Sequence, residues 1–240
     1  MAHIYFDMDG VLAKYERSAY LPLDQAAIDK LPKKIEVKGE DEIRLFEIPG
    51  RHYFRYVKPD NRIINVLSHL IEDNKYGMYK QNVTVHIIST LSKKGSLFVE
   101  QYNDKVAWIH EHIPNMPTSE FYPALGEKRD IAILLRNHKL DPSDILIDDY
   151  DVNLNSWRNA GGMAIKYLNG TNSLTHWKGP YFDQSMTSSD MIDMLRTIAN
   201  SYHSFNENDA PKPTPIEIDN AKPIKVEVST KGAFSVTNGL

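Results

Sequence analysis

Two carboxylates near the amino terminus are the residues of this chain best suited to chemistry. Asp7 and Asp9 follow a short apolar run, and Gly10 comes directly after them. Side chains two positions apart in a strand share a face, and a glycine lets the chain turn tightly. Both carboxylates can therefore converge beyond the carboxyl end of a strand, where open α/β sheets bind ligands. Because close carboxylates repel unless a cation or a proton lies between them, the pair indicates a Mg²⁺ site, an acid–base pair or both. A plain turn that closes the strand is the alternative.

A second acidic group favours the metal interpretation. Residues 144–151 read as another apolar strand that ends in the carboxylates of Asp148 and Asp149, with Asp151 two positions further on. Asp151 suits the N-cap of a following helix, but capping does not explain two carboxylates directly at the end of a buried strand. Two strands that deliver carboxylates to one edge predict a hard-cation site. Mg²⁺ typically takes one or two carboxylates together with water and substrate phosphate.

Composition and charge exclude several classes of function. The chain has 240 residues, of which 41% are hydrophobic and 25% charged, as in ordinary globular proteins. Its formal net charge of −4 gives no support for a general nucleic-acid surface. The absence of cysteine excludes disulfides, thiol catalysis and cysteine-ligated zinc, and fits a cytoplasmic location. We expect neither a membrane span nor a signal peptide, because no apolar run is long enough and the first residues lack the signal pattern.

The order of predicted elements indicates an α/β fold. Predicted strands alternate with predicted helices, which favours a parallel sheet with helices on both faces, a Rossmann-like core. The strands are predicted at residues 3–7, 83–88, 121–122, 145–148 and 163–166. The helices are predicted at residues 96–113, 129–139, 151–160 and 188–200.

Residues 14–82 interrupt this alternation, because a crossover between two neighbouring parallel strands needs far fewer residues. We predict that they form a small, mainly helical cap domain inserted after the first strand, over a core made of residues 1–13 and 83–202. Helices are expected in this insertion near 24–31 and at 61–73, with a hairpin-like stretch at 35–57. Residues 203–240 read as a proline-containing linker and a tail with one alternating stretch, at 224–228.

Four motifs, taken in order, resemble the signature of the haloacid dehalogenase (HAD) superfamily of phosphatases. Asp7-Met8-Asp9-Gly10 resembles its nucleophile motif, and Ser89, at the end of an apolar strand, resembles its Ser/Thr motif. Lys128 resembles the phosphate-binding lysine, and Asp148-Asp149 resembles the acidic metal motif. Within the superfamily the chain is most similar to the 5'(3')-deoxyribonucleotidase family, including bacterial and phage-type members. The segments that carry this similarity are residues 7–13, 105–109, 146–149, 153–157, 160–162 and 165–166.

The resemblance implies a two-step phosphoryl transfer. Asp7 would be the nucleophile that forms an aspartyl-phosphate, and Asp9 would be the general acid and then the general base. Mg²⁺ would be held by Asp7, the carbonyl of Asp9 and Asp148, with Asp149 acting through a bound water.

The same resemblance implies a set of phosphate ligands. Ser89 and Lys128 would bind the non-bridging oxygens of the phosphate. Thr90 and Lys105 are further candidates, although Thr90 could be an ordinary loop residue and Lys105 an ordinary solvated helix residue. The relative weight of Lys105 and Lys128 stays open at this level.

The expected substrate is a small phosphomonoester, in the first place a 5'-(deoxy)ribonucleoside monophosphate. Aromatic residues of the insertion are candidates to stack on a nucleobase, namely Tyr15, Tyr20, Phe46, Tyr53, Phe54 and Tyr56. A phosphatase for another phosphoester such as a sugar phosphate, a phosphatase of polynucleotide ends and a non-catalytic binding protein are the alternatives. The oligomeric state stays open, with a homodimer as one candidate.

Overall fold

A computed structural model describes residues 2–14, 20–22, 42–76, 83–170 and 176–201. The helix expected near 24–31 and the tail stretch at 224–228 lie outside the described residues. Among the described residues, no helix combines the length and the apolar character that crossing a membrane requires.

The centre of the fold is a six-stranded sheet in which every neighbouring pair of strands is parallel. The strands of the described residues, in chain order, are β1 (Ala2–Phe6), β2 (Tyr20–Pro22), β3 (Glu42–Arg44), β4 (Val83–Thr90), β5 (Phe121–Ala124), β6 (Asp144–Asp148), β7 (Met163–Tyr167) and β8 (Tyr181–Phe182). The large sheet has the order β5-β4-β1-β6-β7-β8, and β2 and β3 form a separate antiparallel pair. Strand β8 was not predicted, because two residues are too short to show a period.

The register of the central strands brings the acidic motifs together. Phe6 on β1 pairs with Ile87 on β4 and with Ile147 on β6. The residues that follow Phe6 and Ile147 are Asp7 and Asp148, so these two carboxylates leave the sheet side by side at its carboxyl edge.

Helices cover both faces of this sheet. They are α1 (Asn61–Lys75), α2 (Gly95–His112), α3 (Lys128–Arg136), α4 (Asp151–Asn159) and α5 (Ser188–Ser201). Ile4 and Phe6 of β1 belong to one buried apolar cluster with residues of α1, α2 and α5. Tyr5 belongs to a second cluster, on the opposite face, with residues of α3 and α4. This alternation is the period of two that a strand buried on both faces requires.

Helix α1 lies within the expected insertion, yet it packs on the sheet. Its residues Ile63, Val66 and Leu70 are fully buried in the same cluster as Leu195 of α5. The described part of the insertion that lies between β3 and α1 is irregular and contains two short 3₁₀ turns, Leu45–Glu47 and Tyr53–Arg55. This irregular stretch lines a cavity next to Asp9, whereas the first residues of α1 line a second cavity with Gly10.

Candidate active site

Asp7, Asp148 and Lys128 form a buried ionic cluster at the carboxyl edge of the sheet. Lys128 is the first residue of α3. Its Nζ lies 2.7 Å from Asp7 Oδ1 and 2.6 Å from Asp148 Oδ2. The backbone amide of Met8 also donates to Asp7 Oδ1, at 2.7 Å. Two donors therefore hold the Asp7 carboxylate in one orientation.

Asp149 brings a third carboxylate to the same point. Oxygen atoms of Asp7, Asp148 and Asp149 lie within 4.8 Å of one another, and all three residues are buried. Lys128 pairs with two of the three carboxylates. Buried negative charge is costly unless a cation balances it. A set of hard carboxylate oxygens without nitrogen or sulfur donors fits Mg²⁺.

Burial and the neighbouring charges shift the pKa values of Asp7 and Lys128. Burial raises the pKa of Asp7 well above its usual range; Lys128 opposes this rise, whereas the nearby carboxylates add to it. Burial alone would lower the pKa of Lys128, but the ion pairs with Asp148 and Asp7 raise that pKa above its usual value. A divalent cation among the oxygens would favour the ionised carboxylates. The cluster is therefore an arrangement that a cation stabilises.

Three polar residues support the acidic strand end, and sequence reasoning assigned none of them a role. Asn153 Nδ2 donates to Asp148 Oδ2 at 3.0 Å, and Asn169 Nδ2 donates to Asp149 Oδ2 at 2.7 Å. Buried Lys166 donates to the Asp149 carbonyl at 3.0 Å and also pairs with the Asp151 carboxylate. A lysine in the otherwise apolar strand β7 was the signal available in the sequence.

Gly10 has to be a glycine for two structural reasons. Its φ of +84° lies in the left-handed region, which a side chain disfavours. A Cβ at this position would also lie 2.3 Å from Asp149 Oδ2. The tight turn after Asp9 thus brings the chain directly against the acidic cluster.

A second lysine stands on the Asp9 side of the site. Lys105 of α2 is fully buried, and its Nζ contacts Asp9 Oδ2. The same Nζ donates to Ser89 Oγ at 2.7 Å and approaches the carbonyl of Thr90 at 3.4 Å. Ser89 Oγ in turn donates to Asp9 Oδ2 at 3.2 Å. The two lysines thus contact different aspartates: Lys128 contacts Asp7, and Lys105 contacts Asp9.

A cavity of about 310 Å³ opens beside Asp9. Among its lining residues are Phe46 and Phe54 from the irregular stretch before α1, and Thr90 and Gln101 from the core. The Phe54 ring lies over Lys105, with Nζ 4.0 Å from the ring centroid. Aromatic side chains of the insertion therefore form one wall of the cavity next to Asp9.

The other aromatic candidates are placed differently. Tyr53 packs against the rings of Phe46 and Phe54. Tyr56 is 79% exposed and does not line the cavity. Tyr15 and the side chain of Tyr20 lie outside the described residues.

Comparison with known proteins bears on the fold. No family model matches the chain, and no curated protein matches it in sequence. Among solved structures it is similar to the D,D-heptose 1,7-bisphosphate phosphatase from B. bronchiseptica, complexed with magnesium and phosphate. That likeness has 14% identity and a TM-score of 0.51, and it covers 82% of this chain and 99% of the other.

Two further solved structures are similar at lower TM-scores. A HAD hydrolase of family IA, variant 3, from Entamoeba histolytica has 15% identity and a TM-score of 0.46, over 82% of this chain and 100% of that one. A HAD-superfamily hydrolase from Ehrlichia chaffeensis has 16% identity and a TM-score of 0.45, over 82% and 97%. The fold of this chain is the HAD-like α/β fold, which confirms the fold class predicted from the sequence.

Proposed function

We propose that this protein is a Mg²⁺-dependent phosphatase that hydrolyses 5'-(deoxy)ribonucleoside monophosphates through an aspartyl-phosphate on Asp7. The observation that carries the phosphatase proposal is the pair of unlike aspartates. Asp7 is turned towards Lys128 and the other buried carboxylates, whereas Asp9 is turned towards Lys105 and the open cavity. Two carboxylates in unlike surroundings suit two different roles in one reaction.

The roles follow from these positions. Asp7 attacks phosphorus, and the bond from phosphorus to the ester oxygen breaks as the aspartyl-phosphate forms. Asp9 faces the cavity on the leaving-group side, so it gives its proton to the departing oxygen. It then takes a proton from the water that attacks phosphorus, and this second step frees Asp7 and releases phosphate.

The phosphate oxygens would meet donors from both sides. Ser89 and Lys105 are in contact with Asp9, and Lys128 is in contact with Asp7. A phosphoryl group between the two aspartates lies within reach of these three side chains. Thr90, the last residue of β4, lies beside these donors, and its carbonyl is 3.4 Å from Lys105 Nζ.

The metal would be held on the Asp7 side. Asp7, Asp148 and the carbonyl of Asp9 are the ligands that we propose, with Asp149 acting through a bound water. When bound there, Mg²⁺ supplies positive charge that screens the nucleophile from the phosphate and stabilises the charge that develops during transfer.

The nucleotide part of the proposal is supported by the aromatic wall of the cavity. Phe46 and Phe54 present rings next to Asp9, where the leaving group of a phosphoester must lie. Stacking of bases on aromatic rings is the recognition that such a wall favours. In this proposal residues 14–82 are an insertion in a catalytic core made of residues 1–13 and 83–202. Its irregular stretch before α1 supplies the lid, whereas α1 packs on the sheet.

The test is phosphate release from a panel of substrates, with Mg²⁺ and with a chelator. The panel contains the common nucleoside and deoxynucleoside monophosphates and, as base-free esters, ribose 5-phosphate and other sugar phosphates. We expect Mg²⁺-dependent release that is fastest from a nucleotide. If a sugar phosphate is hydrolysed far faster than every nucleotide, the substrate proposal is wrong. If no ester releases phosphate, the phosphatase proposal is wrong.

A further inference from the structure

One edge of α2, from Glu100 to Glu111, contacts the irregular stretch before α1. We call residues 46–57 the lid segment. The α2 residues that contact it include Glu100, Gln101, Asp104, Lys105 and Trp108, and Glu111 Oε2 lies 3.8 Å from Arg55 Nη2. Glu100, Asp104 and Trp108 are four residues apart, and so are Gln101 and Lys105. These residues therefore lie on one face of the helix. The helix that carries Lys105 into the site thus also carries the contacts to the lid segment.

Two acidic residues of this edge hold the turn of the lid segment. Glu100 accepts hydrogen bonds from the backbone amides of Gly50 at 2.7 Å and His52 at 3.1 Å. Asp104 Oδ1 lies 2.9 Å from His52 Nδ1. His52 has a φ of +49°, which is uncommon for a residue other than glycine. These carboxylates therefore stabilise a backbone shape that the lid segment would not favour alone.

Gln101 joins the lid segment to the phosphate side of the site. Its Oε1 accepts from the backbone amide of Ser92 at 2.8 Å, and its Nε2 donates to the carbonyl of Phe46 at 2.8 Å. The side chain is almost fully buried and lines the cavity next to Asp9. Ser92 lies in the loop after β4, three residues beyond Ser89. One amide group therefore sets the distance between the loop and the aromatic wall.

We propose that Gln101 is a positioning residue that determines which leaving groups the cavity accepts. It acts through Phe46, because its hydrogen bond holds the main chain that carries this ring, and through Ser92, because the second bond fixes the facing wall. The inference rests on the proposed function, since the cavity has a role only if a phosphoester enters it. A glutamine is required because the position needs an acceptor and a donor on one side chain.

The test compares two variants of Gln101 with a matched control. Gln101→Met removes both hydrogen bonds at similar volume, and Gln101→Glu keeps the acceptor for Ser92 but loses the donor to Phe46. The control is Asn103→Met, which also replaces a side-chain amide by methionine, at an exposed position of the same helix. The measurements are KM for the best substrate of the panel and the inhibition constant of inorganic phosphate, which fills the phosphate position without reaching the lid segment.

We expect Gln101→Met to raise KM about tenfold, since a buried donor and acceptor lose their partners. The inhibition constant of phosphate should stay within about twofold of the wild-type value, because Ser89, Lys105 and Lys128 keep their own contacts to Asp9 and Asp7. Gln101→Glu should also raise KM, and Asn103→Met should change neither constant.

Two outcomes overturn the inference. A parallel rise of both constants would place Gln101 in phosphate binding alone, and an unchanged KM would remove its role altogether. Thermal unfolding followed by circular dichroism shows whether each variant is folded, and Gln101→Glu decides the matter if Gln101→Met is not. Wild-type protein without activity on any ester would contradict the proposed function, whereas active wild type with an unchanged variant KM would contradict this inference alone.

Discussion

The two sides of the candidate active site are built in different ways. On the carboxylate side, Asp7 and Asp148 stand at the ends of two central strands whose register is set by main-chain pairing. On the lid side, Phe46 and Phe54 belong to an irregular segment that side chains of α2 hold in place. We therefore expect the proposed chemistry to depend on the sheet, and substrate choice to depend on a few hydrogen bonds from one helix. The variants below test this division.

The largest effect is expected from Asp7→Asn. The change keeps the shape of the side chain but removes the nucleophilic oxygen, so we expect phosphate release to fall by at least about a thousandfold. Steady-state phosphate release checks this, with Asp130→Asn on the exposed surface of α3 as the control. A variant that keeps substantial activity would show that Asp7 is not the nucleophile.

Loss of the buried ammonium group of Lys128 should lower the stability of the protein as well as its activity. Lys128→Met leaves the carboxylates of Asp7 and Asp148 without their ion-pair partner, so the metal-free free energy of unfolding should fall by about 3–5 kcal/mol. Mg²⁺ should restore part of this loss, because it binds the folded state. Urea unfolding with and without Mg²⁺ measures both effects. The control is Lys139→Met, at an exposed lysine; equal stability of both variants would contradict the prediction.

On the lid side, we expect a change in KM rather than in the chemical step. Phe54→Leu keeps apolar volume but removes the ring that can stack on a base, so KM for nucleotides should rise roughly tenfold. KM for ribose 5-phosphate should not change, because this ester has no base. Tyr56→Leu, at an exposed ring outside the cavity, is the matched control. An equal rise of KM for both esters would mean that Phe54 does not recognise the base.

The smallest effect concerns the pKa of His52. Its hydrogen bond to Asp104, and then the charge of that carboxylate, raise the pKa of His52 above 6.5. The stabilising contact is therefore fully present below pH 6.5 and is lost as the pH rises through the raised pKa. Because His52 is exposed, solvent screening keeps the effect small.

An NMR titration of the His52 ring measures this pKa directly. Asp104→Asn should bring it back towards 6.5, and Asp130→Asn on the exposed surface of α3 should leave it unchanged. An unaltered titration in Asp104→Asn would show that the contact does not exist in solution.

Much of the carboxylate side could be predicted because buried strands have a simple pattern. An apolar run followed at once by a polar residue marks the carboxyl end of a strand, and this pattern located Asp7, Ser89 and Asp148. The supporting residues Asn153 and Asn169 could not be found in this way. They are ordinary polar residues in the sequence, and only the fold brings their amide groups to the carboxylates.

The lid side was less accessible to the same reasoning. Six aromatic residues were candidates without a means of choosing among them, since each has the same apolar character in the sequence. Glu100 and Gln101 read as polar residues of an amphipathic helix, and such residues usually face solvent. Glu100 bonds to the main chain of Gly50 and Gln101 to that of Phe46, about fifty residues away in each case. The local periodicity of the sequence does not indicate such distant contacts.

The sequence by itself determined the parallel α/β fold and the acidic strand ends, because the periodicity and the order of the motifs can be read directly from the residues. The sequence also identified Lys105 and Lys128 as candidate phosphate ligands. Only the tertiary structure decided that Lys128 faces Asp7 while Lys105 faces Asp9, and that α2 holds the lid segment. Those pairings join residues far apart in the chain, and their distances depend on how helices pack on the sheet, which no spacing in the sequence specifies.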